Sequence, residues 1–426
     1  MIESLQELIA IPSIAENGEP GRPYGKAAKD ALDYALSLCG RLGFRTKACA
    51  DLTGWAEIGS GEEMIGILVH LDVVPPGDGW THPPFGAVIE DNKLYGRGSI
   101  DDKGPAVACI YAMKDLLDEG VAFDRRVRII FGQAEESGSW EDIEHYKKTE
   151  EIPVCGFTPD SGFPAIYGEK GIVFYKFSMP YGRAGIKEIK GGNAVNMVAD
   201  HCKATLRDKE GNELDLERKG VSAHGSRPEL GENAITKLMG AIYSLQLEGK
   251  VDCPFAGFYQ DTIADCIHGE KINCELEDKE SGKLTFNVGA ITSDEKEISM
   301  AVDVRFPVTF TKEEVTARLA SAVEPYGVTV SAEEYTRPVY MDKDGPVIKM
   351  LLEAYRSVTG DNSEPFVIGG GTYARAMDNI IAFGPLLPGR KSLEHQPDEN
   401  ISLDDLATVR NIYREAIRRL AVKTEM

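Results

Sequence analysis

The sequence predicts an α/β fold with a mostly parallel sheet flanked by helices, and three observations lead to this prediction. Met64–His70 is an uninterrupted apolar run that ends in a polar residue, and Arg126–Phe131 is a second such run. Runs of this kind are typical of buried parallel strands. Between them, apolar residues recur at helical spacing, with Pro105 near the start and Gly120 at a C-terminal cap position. Strand, helix and strand form a βαβ unit, whose ligand sites lie beyond the carboxyl ends of the strands.

The character of the sequence changes in the middle of the chain and then returns. The central part has longer polar connections, a predicted helix over 232–247 and another over 312–323. In the alternating strand Ile298–Phe306 the apolar residues share one face, which directs Arg305 away from the core. The predicted domains are a two-segment catalytic domain, residues 1–175 and 335–426, and an inserted α+β lid domain, residues 176–334.

Composition and charge exclude several classes of function. Hydrophobic residues make up 42% of the 426 residues, which is ordinary for a globular protein. The 47 basic residues are outnumbered by 69 acidic ones, so the net charge is −22. A field of this sign repels nucleic acid and anionic membrane surfaces, and we expect neither as a partner.

Cysteine spacing and the N-terminal residues indicate the compartment. No two of the eight cysteines have the C-x-x-C spacing of a zinc ribbon or redox pair. The first residues include acids where a signal peptide has basic residues, and no apolar stretch reaches the roughly 18 residues of a membrane span. We therefore expect a cytoplasmic protein with reduced thiols.

Three common motifs fail on their spacing. Gly96–Asp101 begins like a dinucleotide-binding loop but has an aspartate in place of the third glycine. Gly21–Lys26 is too short for a phosphate-binding loop, and Gly220–His224 lacks the final glycine of a nucleophile elbow. The sequence therefore supports neither nucleotide binding nor a serine hydrolase.

What remains is a set of acids and histidines that follow predicted strands or precede a predicted helix. Two imidazoles and three carboxylates suit two divalent ions about 3.5–4 Å apart, with one carboxylate bridging them and water between. An arrangement of this kind is hydrolytic. The candidate ligands are His70, Asp101, Glu136, Asp160 and His395.

Each of these residues has a structural explanation when it is taken alone. Glu135 and Glu136 would be a solvated charge pair, like other adjacent glutamates of the chain. Asp101 would be part of a helix cap and Asp160 a turn residue, while His70 would be a satisfied core histidine. The metal interpretation depends on the whole set occurring at successive strand ends.

Five motifs extend this set: His70–Pro75, Gly96–Gly104, Ala134–Gly138, Pro159–Pro164 and Glu394–Glu399. In their order they resemble those of the co-catalytic zinc aminopeptidase-like family. That family includes glutamate carboxypeptidase, aminoacylase, succinyl-diaminopimelate desuccinylase and the peptidase V type dipeptidases. The motifs span most of the chain, and as a group they are specific.

The resemblance implies a zinc-aminopeptidase-like catalytic domain with an inserted lid, and a role for each site residue. Asp72 would orient His70. Glu135 would be the general base that takes a proton from water and delivers it to the leaving amine. The family also has a cis peptide bond after its bridging aspartate, here between Asp101 and Asp102. The implied ligands are His70 and Asp160 for one ion, Glu136 and His395 for the other, and Asp101 as the bridge.

The predicted lid domain also carries residues that match the family. His224 resembles the lid histidine, which meets the substrate carbonyl oxygen as it becomes an oxyanion. Arg305 resembles the lid arginine, which grips a substrate carboxylate, and Asn196 resembles the lid asparagine of peptidase V. The alternatives are a surface-loop histidine and an arginine that only pairs with Asp303 on its own strand. Backbone N–H groups at Gly370 and the side chain of Arg375 are further candidates for the same carboxylate.

The sequence thus predicts a two-metal hydrolase that cleaves dipeptides with a free amino terminus. We expect zinc, with manganese or cobalt as alternatives, because imidazole and carboxylate ligands accept all three. An N-acyl amino acid amidohydrolase, such as a desuccinylase or deacylase, is the alternative, and a non-catalytic peptide-binding protein is a third reading. A long lid supplies His224 within one chain, so we expect a monomer and leave a homodimer open.

Overall fold

The structure is a computed structural model, and it describes residues 1–422. Helices and strands alternate through most of the chain. Within the described residues the α-helices are α1 (Ile2–Ile9), α2 (Lys26–Arg41), α3 (Lys103–Asp118), α4 (Glu141–Thr149), α5 (Tyr181–Ala184), α6 (Ala234–Leu247), α7 (Pro254–Thr262), α8 (Lys312–Val323), α9 (Pro346–Thr359) and α10 (Leu403–Ala421).

The strands are short apart from those of the central region. They are β1 (Arg45–Cys49), β2 (Thr53–Ile58), β3 (Met64–His70), β4 (Val88–Glu90), β5 (Lys93–Tyr95), β6 (Arg126–Gly132), β7 (Cys155–Thr158), β8 (Ser161–Gly162), β9 (Ile166–Glu169), β10 (Gly171–Pro180), β11 (Glu188–Gly191), β12 (His201–Arg207), β13 (Glu213–Lys219), β14 (Glu277–Asp278), β15 (Gly282–Lys283), β16 (Thr285–Ser293), β17 (Glu297–Phe306), β18 (Thr329–Thr336), β19 (Val339–Tyr340), β20 (Phe366–Ile368), β21 (Ile380–Ala382), β22 (Pro385–Leu386) and β23 (Asn400–Ser402).

The chain divides into two compact units, each with its own sheet. Both units are discontinuous in sequence, because the chain leaves the first unit and returns to it twice. The first unit comprises Met1–Tyr167, Met341–Phe366 and Gly371–Met426, and the second comprises Gly168–Tyr340 and Val367–Gly370.

The sheet of the first unit is mixed and is parallel at its centre. Six of its strands run in the order β1-β2-β6-β3-β7-β21. The pairs β6–β3, β3–β7 and β7–β21 are parallel, whereas β1–β2 and β2–β6 are antiparallel. All seven residues of β3 are buried. An uninterrupted apolar sequence is what a central strand covered on both faces requires.

Helices cover both faces of this sheet. On one face, Phe157 of β7 stacks on Tyr413 of α10, with ring centroids 5.5 Å apart. On the other, Leu68 of β3 lies in a buried cluster with Ile143 and Tyr146 of α4. Ile67 of β3 is the register partner of Phe157, so both side chains point to the same face of the sheet. Leu68 is the next residue of β3 and therefore points to the opposite face. The first unit is therefore a three-layer α/β structure.

The second unit is an antiparallel sheet with helices packed on one face. Its strands run in the order β13-β12-β11-β16-β17-β10-β18. Alternate residues of β10 and β17, including Tyr175 and Val302, lie in one buried cluster with Leu238 of α6, Phe255 of α7 and Leu319 of α8. This α+β arrangement is the one predicted for the inserted segment.

The limits of the units differ from the predicted domain limits. A change at residue 175 would fall inside β10, and one at residue 335 would fall inside β18. The apolar alternation of β10 continues past residue 175, because β10 pairs along its whole length with β17. Residues 367–370 also join the second unit, which no feature of the sequence indicated.

No helix among the described residues is long and apolar enough to cross a membrane.

Candidate active site

Three adjacent parallel strands place functional side chains at one edge of the first unit's sheet. His70 is the last residue of β3 and is the register partner of Gly132 at the end of β6. Glu135 and Glu136 follow β6, and Asp160 follows β7, which pairs with the other side of β3. Since the carboxyl ends of parallel strands share an edge, residues 65 to 90 positions apart in the sequence meet there.

Two loops complete the cluster. Asp101 precedes α3 and is joined to Asp102 by a cis peptide bond, as the resemblance implied. His395 lies in the loop before β23. Its Nε2 is 3.0 Å from Asp101 Oδ2 and 3.1 Å from Glu136 Oε1. The structure therefore brings His395 to the site despite its distance in the sequence.

The hydrogen bonds of His70 leave one ring nitrogen facing a carboxylate. Nδ1 is 3.0 Å from the backbone oxygen of Asp72, which can only accept, so Nδ1 carries the proton. Nε2 then presents a lone pair in the neutral ring, yet it lies 3.0 Å from Asp101 Oδ1. Two acceptors at this distance require a proton or a metal ion. His70 and Asp101 therefore fit a cation site.

The charge of the site leads to the same conclusion. Burial, together with the charges of Glu136 and Asp101, raises the pKa of Glu135 to about 8. Burial and neighbouring carboxylates also raise the pKa of Asp160 well above its usual value. Ionised acids this close together repel one another, and a bound divalent cation would stabilise their ionised forms.

Ligand atoms of the predicted residues lie close enough to share ions. One group consists of His70, Asp101 and Glu136, and a second consists of His70, Glu135 and Asp160, with the ligand atoms of each group within 4.8 Å of one another. Nitrogen and oxygen donors of this kind suit zinc, manganese or cobalt. Glu135, predicted as the base, thus lies beside the candidate ligands.

Asp72 contacts more than the sequence suggested. Its carboxylate is 3.5 Å from Nδ1 of His70, farther than its own backbone oxygen. The carboxylate instead accepts the backbone N–H groups of Glu135 and Glu136, at 3.2 and 3.0 Å. Asp72 therefore orients His70 mainly through its carbonyl group, while its side chain holds the backbone of the two glutamates.

Glu399 links the loops that carry Asp101 and His395. Its Oε1 accepts the N–H groups of Gly98, Ile100 and Asp101, at 3.0, 2.9 and 3.3 Å. Its Oε2 accepts a hydrogen bond from Nη1 of Arg97 at 2.6 Å, and both side chains are buried. Glu399 belongs to a motif noted in the sequence, but no spacing showed which backbone groups it would hold.

In the second unit, the hydrogen bonds of His224 define its tautomer. The backbone N–H of Ser226 donates to Nδ1 of His224 at 3.2 Å, and the Ser226 hydroxyl lies 2.7 Å from the same nitrogen. Nδ1 is therefore an acceptor, and the neutral ring carries its proton on Nε2. Burial and the charges of Arg305 and Arg227 lower the pKa of His224 to about 4.

Arg305 is buried and paired within the second unit. It lies opposite the apolar face of β17, as predicted, and it is 4% exposed. Its Nε and Nη2 donate to Asp303, the pairing that was the alternative, and its Nη1 donates to the oxygen of Gly369 at 2.6 Å. The side chain is buried because residues 367–370 return to this unit and cover it.

Asn196 lies beside the His224 loop. Its backbone oxygen accepts the N–H of Gly225 at 2.7 Å. A Cβ atom at Gly225 would lie 2.6 Å from Oδ2 of Asp303, so this position requires glycine. The second unit therefore brings Asn196, His224 and Arg305 into one neighbourhood, with Gly370 adjacent in sequence to the partner of Arg305.

Arg375 lies in the first unit. It is 2% exposed and belongs to a short 3₁₀ helix, Tyr373–Ala376. Its assignment to a substrate carboxylate stays a prediction.

Comparison with known proteins identifies the family. The sequence profile of peptidase family M20/M25/M40 matches residues 66–419. The chain belongs to this family. The resemblance seen in the motifs is thereby confirmed, and this M20 family member is a hydrolase.

Individual relatives agree with the family match. The "Putative dipeptidase" of Staphylococcus epidermidis is 36% identical, over 99% of this chain and 97% of its own. The fold of this M20 family member is similar to that of the aminoacylhistidine dipeptidase from Vibrio alginolyticus, with a TM-score of 0.62, 12% identity and coverage of 99% and 96%. A dinuclear metal-binding M20 peptidase from Bacillus subtilis is similar with a TM-score of 0.55, 12% identity and coverage of 99% and 97%. The predicted fold class is confirmed.

Proposed function

We propose that this protein is a metal-dependent dipeptidase that hydrolyses the peptide bond of dipeptides with a free amino terminus. The observation that carries the proposal is the cluster of histidines and acids at the end of the parallel strands. There, His70 and His395 both face Asp101, and Glu135 lies among the other acids. Relatives that align with nearly the whole chain are named as dipeptidases, which supports the choice of substrate.

Two divalent ions are the cofactors in this proposal. His70 and Asp160 would hold one ion, Glu136 and His395 the other, and Asp101 would bridge them. When bound, such ions lower the pKa of water and polarise an amide carbonyl. Zinc is the metal we propose, with manganese and cobalt as alternatives for the same donors. The dinuclear site of the Bacillus subtilis peptidase supports the stoichiometry.

Glu135 is the general base in this proposal. It would take a proton from the attacking water and deliver it to the amine that leaves. A base of this kind must be ionised in the resting enzyme, and nearby divalent cations favour the carboxylate over the protonated form. The hydrogen bonds from the backbone of Glu135 and Glu136 to Asp72 fix the start of both side chains.

His224 is the residue we propose for the oxyanion. Its Nδ1 is occupied by the N–H of Ser226, so Nε2–H is the group available to donate. A neutral donor of this kind stabilises the negative charge that develops on the substrate oxygen. The loss of one such donor typically costs about 10²–10³ in rate.

A substrate carboxylate would bind near Arg305 and Asn196, with the backbone of Gly370 and the side chain of Arg375 as further contacts. Arg305 uses three of its five N–H groups on neighbouring residues: those of Nε and Nη2 contact Asp303, and one of Nη1 contacts Gly369. The remaining donors would serve the carboxylate. A rigidly held guanidinium is well suited to this, because little side-chain freedom is lost on binding.

We further propose that the enzyme is a cytoplasmic monomer. All eight cysteines are free and buried, as is usual in a reducing compartment. The same chain supplies His224 and the candidate metal ligands. Light scattering of the active fraction tests the monomer: a dimeric mass in that fraction would contradict it.

The test of the proposed function is a substrate screen with the metal-loaded protein. Free dipeptides, their N-acetylated forms and N-succinyl amino acids are supplied in parallel, and products are identified by mass. We expect cleavage of free dipeptides, loss of this activity with a chelator, and recovery with zinc, manganese or cobalt. Faster cleavage of the N-acylated compounds would favour the amidohydrolase, and retention of intact peptide without products would favour a binding protein.

The same screen is repeated with Glu135→Ala. General-base catalysis contributes about 10²–10⁴-fold, so a loss of that order is expected with the metal content unchanged. Glu141→Gln is the matched control, since this exposed acid lies nearby in the sequence. Turnover by Glu135→Ala at the parent rate would contradict the assigned mechanism.

A further inference from the structure

Two buried carboxylates accept hydrogen bonds from four consecutive backbone N–H groups, those of residues 133–136, which include Glu135. Asp72 accepts those of Glu135 and Glu136. Oδ2 of Asp142 accepts those of Gln133 and Ala134, at 2.7 and 3.2 Å. The segment that carries the proposed base lies beyond the end of β6, where it pairs with no strand of residues 1–422, and it is thus fixed by side chains.

The buried carboxylate of Asp142 accepts several hydrogen bonds. Asp142 is the second residue of α4 and has no solvent exposure. Its Oδ1 accepts the N–H of Ile143 at 2.7 Å, and the hydroxyl of Tyr373 donates to Oδ2 at 2.5 Å. Among the residues that the structure describes, every hydrogen-bond partner of this carboxylate is an uncharged donor, so it is held by hydrogen bonds and not by an ion pair.

Tyr373 contacts both the carboxylate of Asp142 and the candidate metal ligand His70. Its ring lies edge-on to the ring of His70, with centroids 6.2 Å apart and planes at 89°. A Cβ atom at Gly132 would lie 2.2 Å from the Tyr373 hydroxyl, so the end of β6 leaves room for this side chain only because residue 132 is glycine. Tyr373 therefore contacts the strand end, His70 and Asp142 together.

We propose that Asp142 is a positioning residue for Glu135, and that Tyr373 holds Asp142 in place for this purpose. This inference rests on the proposed function. A catalytic group must be held within about 0.5 Å of its productive position by partners that are themselves fixed. Asp142 does this through the two amides that precede Glu135, whereas Asp72 holds the amides of Glu135 and Glu136 themselves.

Asp142→Asn tests the proposal with almost no change of shape. A carboxamide has one accepting oxygen, and in either orientation its NH₂ group faces a backbone N–H, that of Ile143 or those of Gln133 and Ala134. We expect kcat to fall about 10- to 100-fold, the usual cost of losing a supporting contact around a metal site. KM and the number of bound ions should stay at the parent values, because Asp142 touches neither substrate nor a candidate ligand.

Tyr373→Phe is the second variant, since it removes only the hydroxyl. It is expected to lower kcat less than Asp142→Asn, again at unchanged KM. In the double variant, kcat should be no lower than in Asp142→Asn alone, because both changes act through one carboxylate. If Asp142→Asn fails to fold, the kcat of Tyr373→Phe decides the question.

Glu141→Gln is the matched control, an exposed acid-to-amide change at the neighbouring position of α4, and it should keep the parent kcat. If the parent protein cleaves dipeptides, and Asp142→Asn and Tyr373→Phe cleave them with the same kcat as the parent, the proposal on Asp142 is overturned while the proposed function stands. The proposal on Asp142 is also overturned if the variants lose bound ions or change only KM. Absence of dipeptide cleavage by the metal-loaded parent would instead overturn the proposed function, and this inference with it.

Discussion

The hydrogen-bond partner of Nδ1 decides which tautomer each histidine of the proposed mechanism adopts. Nδ1 of His70 must donate to the backbone oxygen of Asp72, which leaves Nε2 for an ion. Nδ1 of His224 must accept from Ser226, which leaves Nε2–H for a substrate oxygen. The same ring is therefore prepared as a ligand at one position and as a donor at the other, and in each case a backbone group makes the difference.

The first prediction concerns the protonation of His224. Because its pKa is lowered to about 4, the ring should stay neutral as the pH falls through the usual histidine range, and it should become charged only near the lower value. NMR titration of the imidazole C–H signals measures this directly. The signal is assigned by its absence in His224→Gln, and a midpoint near the ordinary value of about 6.5 would contradict the prediction.

At the scale of elements, the regular strands and helices were predictable because their residues repeat with a clear period. The predicted strand 64–70 coincides with β3, and the predicted helix 312–323 coincides with α8. In α8, Thr311 and Glu314 form a capping box that marks the first turn. The predicted domain limit at residue 175 falls inside the long strand β10, because its pairing with β17 is a long-range contact that leaves no local signal.

The candidate site was predictable in its chemistry but not in its supporting contacts. His70, Glu136 and Asp160 follow strands, so their convergence could be inferred from the order of the βαβ units. Asp142 gave no such signal, because acids are common in the first turn of any helix. The burial of Arg305 was also hidden, since Gly369 covers it from a segment 64 residues away.

The second prediction concerns the loops that Glu399 joins. In Glu399→Gln, the amide oxygen replaces one carboxylate oxygen, but the NH₂ group faces Nη1 of Arg97, and the loop that carries Asp101 loses its fixed position. Metal affinity should fall about 10- to 100-fold, as measured by competition with a chromogenic chelator. Glu394→Gln, an acid-to-amide change on the same loop, should keep the parent affinity. Equal affinities for all three proteins would contradict this role.

At the scale of the whole molecule, the predicted metal ligands fall in the first unit, whereas the residues proposed for the oxyanion and the carboxylate fall in the second, apart from Arg375. His70, Asp101 and His395 belong to the first unit, and His224 and Arg305 belong to the second. Each unit has its own sheet, and the second has a large buried cluster of its own. Loss of the ions should therefore affect one unit more than the other.

The third prediction is that chelation loosens the first unit locally. Without cations, the clustered acids repel one another, and amide hydrogen exchange should become faster in residues 98–101 and 133–136. The strands β16 and β17 of the second unit should exchange as before and serve as the internal control. Exchange that is unchanged at both loops, or faster to the same extent in both units, would contradict the prediction.

The central claim is that five side chains hold two divalent ions beside Glu135. Anomalous X-ray diffraction from crystals of the zinc-loaded protein, recorded on both sides of the zinc edge, tests it most directly. We expect two zinc peaks, both bound by Asp101, one with His70 and Asp160 and the other with Glu136 and His395. Crystals that show one zinc ion or none among these side chains would contradict it.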